Sequence, residues 1–273
     1  MPYWQVHFLN ARHALTGIMP EVRSAVAESV SLAAGHLDLP DMDVVVRAGD
    51  GGPDGGALAA APAPGMIELT LSPARFARDL TIRRMLRALH HVARWDGPGY
   101  GRSLGEVLAS EGLAGHFTVG VLGGPPDPRD ATAPPSGLAR RAMTEWAWRD
   151  LDRGLWFEGR GNIRKWAGYG LAHRLLAEHL AREGDSDPAV LVHLAAEALR
   201  PAMRRLSGTD APDAAAAPDT GALRGGEGDR PLQATGDAAA DGADADGADA
   251  GGADADGAGA GADRDGDDPR TRT

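Results

Sequence analysis

The chain has 273 residues, a formal net charge of −11 and no cysteine, which excludes disulfides, thiolate metal sites and cysteine nucleophiles. The charge is unevenly spread. Residues 207–273 carry 16 acidic residues against 5 Arg, whereas residues 1–206 carry 23 of each sign. The first 206 residues therefore lack the basic footprint that a nucleic-acid binder needs to neutralise phosphates.

In chain order, Trp4, Val6 and Phe8 alternate with Gln5 and His7 and predict a strand over Trp4–Leu9. This N-terminal stretch has no basic region followed by a long apolar run, and no run of about 18 apolar residues occurs anywhere, so neither a secretion signal nor a membrane span is expected, and a cytoplasmic location is. Pro20–Leu37 reads as a helix with Val22, Val26, Val30 and Leu32 apolar. Val44, Val45 and Val46 form a short buried strand, Asp50–Gly65 is a Gly/Pro loop, and Met66–Leu71 is a third strand. Helices are expected over Thr81–Trp95 and Leu104–Phe117, a Pro-rich loop over Gly123–Ser136, and further helices over 138–152, 163–183 and 188–200. Asp187 would cap the last of these, with Pro188 at its first position. Short strands followed by helices imply an α+β fold: a single domain over residues 1–206, with a small N-terminal sheet packed on helices and a helical C-terminal half. Residues 207–273 contain no Val, Ile, Met or aromatic residue and are expected to be a disordered acidic Ala/Asp/Gly-rich tail. The repeat from Asp241 to Asp263 lacks both the bidentate Glu and the large apolar residue that calcium-binding repeats require.

The helix over Thr81–Trp95 is the informative segment. Ile82, Met85, Leu86, Leu89, Val92 and Ala93 fall on one arc, and Arg83, Arg84, Arg87, His90, His91 and Arg94 on the other. From the pattern alone the second arc is a solvated basic face. The words that follow change this. The chain continues through Arg94-Trp95, Gly99-Tyr100-Gly101, Ser110-Glu111-Gly112-Leu113-Ala114, His116-Phe117 and, later, Trp166-Ala167-Gly168-Tyr169. In that order and spacing, these words over about residues 3–200 resemble a bacterial family of predicted Zn-dependent proteases, the domain-of-unknown-function 2268 family.

The resemblance implies a zincin-like fold and peptide-bond hydrolysis. In the family's H-E-x-x-H pattern, two His at i and i+4 share one helix face and hold zinc, the Glu after the first is the general base on zinc-bound water, and a later carboxylate is the third ligand. By this resemblance His91 is the second metal His, and Glu111, twenty residues on, is the third ligand. The first metal His is replaced by Arg87 and the general base by Ala88. A guanidinium does not ligate zinc and a methyl group moves no proton. His91 and Glu111 are thus vestigial ligands, and the expected function is that of a catalytically inactive, metalloprotease-like pseudoenzyme with no cofactor. Arg87 is expected to pair with Glu111 in place of the metal. Two alternatives stand beside this reading. One is an active Zn-dependent peptidase with a rearranged site around His91 and Glu111, drawing on His90 or His116. The other is a non-catalytic scaffold for a peptide or protein ligand, without nucleic-acid or membrane partners.

The remaining candidates have simpler readings. Tyr169 is a core tyrosine between helices, or an oxyanion contact in a working zincin. His90 packs beside the metal position or meets solvent, His116 is a polar helix-end residue and Glu106 is on the surface. His173 and His179 fill an amphipathic helix, and Trp146, Trp148 and Trp156 are core aromatics. Gly51, Gly52, Gly55 and Gly56 lack the strand, helix and Lys of a phosphate loop.

Overall fold

A computed structural model describes residues 2–52, 55–183 and 187–209. The disordered tail expected over 207–273 lies outside the described residues from position 210 onward.

Four strands form one sheet in the order β1 (Trp4–Leu9), β2 (Met42–Ala48), β4 (Met66–Leu71), β3 (Ala57–Ala63). β1, β2 and β4 run parallel, with Val6 opposite Val44 and Val44 opposite Ile67, while β3 is antiparallel to β4 at the edge. Helix α1 (Met19–Ala34) provides the crossover that two parallel neighbours need. Alternation sets the burial: along β2, Met42, Val44 and Val46 are buried while Asp43 and Arg47 are exposed. Helices α2 (Arg78–Arg94), α3 (Leu104–Leu122), α4 (Leu138–Glu145), α5 (Ala167–Glu183) and α6 (Ala196–Thr209) follow, with a single π-helical turn at Gly154–Glu158. The architecture is α+β, with the sheet at the N-terminal side and helices after it.

There are two apolar clusters. The first joins the sheet, α1 and one stripe of α2 around Val26, Val44, Leu69, Met85 and Leu89. The second lies among α3, α4, α5 and α6 around Leu108, Leu113, Trp146, Trp156 and Leu175. Helices α2 and α3 pack on each other between them, so the polar arc of α2 is enclosed. The start of α3 is set by a capping box: Glu106 N donates to the Ser103 hydroxyl, and Ser103 N donates to the Glu106 carboxylate at 2.8 Å. Gly112 lets α5 come close, since a Cβ there would lie 2.5 Å from the Ala172 carbonyl oxygen.

Four sequence expectations need correction. The Gly/Pro loop over Asp50–Gly65 contains strand β3. Its Ala-rich sequence has weak strand propensity, but pairing with β4 supplies the order, and an edge position with a register irregularity between Ala60 and Ala63 tolerates Pro62. The helix expected over 188–200 instead begins at Ala196. Asp187 does accept from Ala189 N at 2.8 Å, but only turns follow, because Arg94 takes the carbonyls of Val192 and Leu194 out of helical bonding. The helix expected over 138–152 stops at Glu145. Trp148 is 58 % exposed, whereas Trp146 and Trp156 are core residues.

Candidate functional site

The polar arc of α2 is not a solvated face. Arg84, Arg87, His90, His91 and Arg94 are all buried, and burying a charge requires a partner. Arg94 donates to the Ser110 hydroxyl at 2.9 Å and to the Val192 and Leu194 carbonyls at 2.6 and 2.8 Å. Its burial among mostly neutral acceptors lowers its pKa to about 10. Arg84 pairs with Asp127.

Arg87 is the centre of the arrangement. Its Nε and Nη2 donate to Glu111 Oε2 at 3.0 and 2.8 Å, and Nη2 also donates to the Glu111 carbonyl at 3.0 Å. Nη1 and Nη2 donate to the two carboxylate oxygens of Asp130 at 2.7 and 3.2 Å. The expected pairing with Glu111 therefore accounts for three of its five hydrogen bonds. Asp130, which sequence reasoning missed, comes from the Pro-rich loop. Its nearest signal was the charged string Asp127, Arg129, Asp130 in that loop. Gly115 makes room for this contact, since a Cβ there would approach Asp130 Oδ2 at 3.0 Å and Arg87 Nη1 at 3.2 Å. Burial opposes the charge of Arg87, but Asp130 and Glu111 outweigh it and hold the pKa well above the ordinary value. Burial pushes the Glu111 carboxyl up, yet the Arg87 charge holds it well below the usual carboxylate range.

The other residues predicted for the site divide. His91 Nε2 lies 3.8 Å from Glu111 Oε2, the oxygen that Arg87 also holds, and its Nδ1 has no hydrogen-bond partner among the described residues. Burial lowers its pKa despite Glu111. The His91 ring meets Tyr100 edge-on at 5.0 Å. Tyr100 donates to Glu111 Oε1 and accepts from Arg153 Nη1 at 2.6 Å. Tyr169 stands nearby, with the Arg87 guanidinium 5.5 Å and the Arg129 guanidinium 4.8 Å from its ring centre. Ala88, by contrast, is 1 % exposed within the sheet-side apolar cluster and is not among the residues lining the cleft described below. His90 meets no solvent and packs on Phe117 with ring centres 5.3 Å apart. His116 lies inside α3 rather than at its end, stacked on His173 at 3.9 Å and hydrogen bonded to the His173 carbonyl. His179 is buried. Glu106 belongs to the capping box and reaches the cleft wall instead of being a free surface residue.

A cleft of about 840 Å³ opens over this group. One wall is Leu58–Pro62 of the edge strand β3, and the Trp95 indole donates to the Ala61 carbonyl at 3.1 Å behind it. The floor includes Arg87, His91, Glu111, Tyr100, Arg129 and Tyr169, and Arg102, Arg149 and Arg153 also line it.

The donor set does not fit the zinc that the sequence resemblance implies. Zinc takes at least three protein ligands, and among the described residues no group of three His, Asp or Glu side chains is placed to hold a metal ion. His90 packs on Phe117 and His116 on His173. No helix of the described residues is long and apolar enough to cross a membrane. No family model, no curated protein and no solved structure matches the chain, so the family resemblance rests on the residues quoted above.

Proposed function

We propose that this protein is a catalytically disabled member of the zincin-like predicted Zn-dependent proteases, and that its cleft binds an extended peptide without cutting it. The observation that carries this reading is Arg87. A guanidinium with five hydrogen bonds to Glu111 and Asp130 stands at the position, one helical turn before His91, where the resemblance calls for an imidazole. The ion pair serves as the structural staple in place of a metal ion. The peptide part of the reading rests on β3, which among the described residues is an edge strand with no second strand neighbour and forms the cleft wall. Unpaired peptide groups on an edge accept an added strand.

Two measurements test it. Purified full-length protein should contain no stoichiometric zinc and should bind peptides without turning them over; bound zinc with chelator-sensitive cleavage would instead establish the active-peptidase alternative. The substitution Arg87→His should raise zinc uptake towards one ion per chain in equilibrium dialysis, because it adds a neutral imidazole i−4 from His91 beside Glu111 and Asp130. An unchanged zinc content in a folded variant would remove the staple idea. The second change that the family pattern calls for, Ala88→Glu, is a poor test, since position 88 lies in the apolar cluster and a carboxylate there has no partner.

A further inference from the structure

The arginines of this cleft are not equivalent. Arg129 is only 9 % exposed. Among the described residues none of its guanidinium nitrogens makes a hydrogen bond, and its Nε is fully buried without a partner. The nearest carboxylate oxygen, Asp127 Oδ2, lies 4.0 Å from Nε and is already held by Arg84. A buried guanidinium in this condition is costly unless something else completes it. Arg129 lines the cleft and sits over the Tyr169 ring, and the Tyr169 hydroxyl likewise has no hydrogen-bond partner among the described residues. Arg153 stands on the same cleft, stacked on Tyr100 and Phe157, and uses Nη1 for the Tyr100 hydroxyl.

We propose that Arg129, with Tyr169 against it and Arg153 on the same cleft, forms a receptor for one carboxylate of the bound peptide. Charge selects the ligand. The cleft lining is cationic: Arg87, Arg102, Arg129, Arg149 and Arg153 outnumber Glu106 and Glu111, and Arg87 is already committed to Glu111 and Asp130. An anion is therefore favoured there, and a planar carboxylate matches the guanidinium fork that Arg129 leaves without a hydrogen bond. The carboxylate can be a chain terminus or an Asp or Glu side chain. This inference rests on the peptide-cleft reading above and names the chemistry that the cleft selects.

The test uses immobilised full-length protein and mixed-sequence tetrapeptides in three forms: free acids, C-terminal amides, and amides with one internal Asp, with retention read by mass spectrometry. Free acids should be retained about tenfold over amides, the size of one charge-assisted hydrogen-bonded contact. Arg129→Gln should bring that ratio to about one, Arg129→Lys should keep part of the preference, and Arg153→Gln should reduce it independently. Retention of the internal-Asp amides at the level of the free acids assigns a side-chain carboxylate, and retention of free acids alone assigns the terminus. Equal retention of acids and neutral amides overturns the carboxylate receptor while leaving a peptide cleft standing. If no peptide is retained, the peptide reading falls, and titration with propionate decides the receptor alone: binding lost in Arg129→Gln upholds it, and no binding overturns it. Preference for inorganic phosphate over propionate also overturns it. Circular dichroism of each variant verifies that it is folded.

Discussion

Two arginines approach the ring of Tyr169, one from α2 and one from the Pro-rich loop, and they differ in their partners. Arg87 spends its donors on Glu111 and Asp130, and its pKa is driven up accordingly. Arg129 is nearly as buried and has no hydrogen bond to a described residue. The α2–α3 interface around Arg87 is a closed electrostatic unit, built like a core. The loop side around Arg129 is an open one, facing a cleft. What distinguishes a structural charge from a ligand-binding charge here is whether its partners are already present, not how deeply it is buried.

Four experiments can break or sharpen this contrast. The largest effect is expected from Arg87→Ala, which removes the cation shared by the buried Glu111 and Asp130 and should cost about 3–5 kcal/mol in urea unfolding; a cost below about 1 kcal/mol would mean that the network is not a staple.

Next in size is the response to acid. Burial lowers the pKa of His173 from 6.5 to about 4, reinforced by the neighbouring His116, and burial also lowers those of His90, His91 and His116. The unfolded chain therefore takes up protons that the fold refuses, so stability should fall as pH drops from 6.5 towards about 4. Below the ordinary glutamate value of about 4.3, protonation of the unfolded Glu111 deepens the loss, because the folded carboxyl stays ionised beside Arg87. Thermal melts across this range should show the decline, and His173→Gln should flatten its upper part. A flat profile would mean that these imidazoles are hydrated.

A smaller effect is expected from Gly112→Ala, which sets a methyl against the Ala172 carbonyl and should cost about 1–3 kcal/mol by overpacking α3 on α5. The smallest comes from Arg129→Met, expected to leave stability within about 0.5 kcal/mol of the parent or to raise it, since no hydrogen bond is lost. A loss comparable to that of Arg87→Ala in the same urea titration would erase the distinction between the two arginines.

Much of the fold is legible in the residues. The period-2 alternation of Trp4, Val6 and Phe8 and the Val44–Val46 run mark two strands, whose parallel pairing only the structure gives, and the apolar stripe of α2 marks the face that meets the sheet. The strand β3 is not legible, because Ala-rich chain with a proline takes its order from β4 alone. At the site, the Arg87–Glu111 contact is expected only from the family resemblance, whereas Asp130 and Arg129 arrive from a loop whose path no periodicity describes.

By itself the sequence determined three of the strands, the helical C-terminal half and the two faces of α2. Only the tertiary structure decided that the basic arc of α2 is interior, that Arg87 is shared between two carboxylates and that Arg129 is left without a hydrogen bond. The physical reason is that periodicity reports which residues share a face, while the sign and cost of a buried charge depend on partners brought from distant parts of the chain.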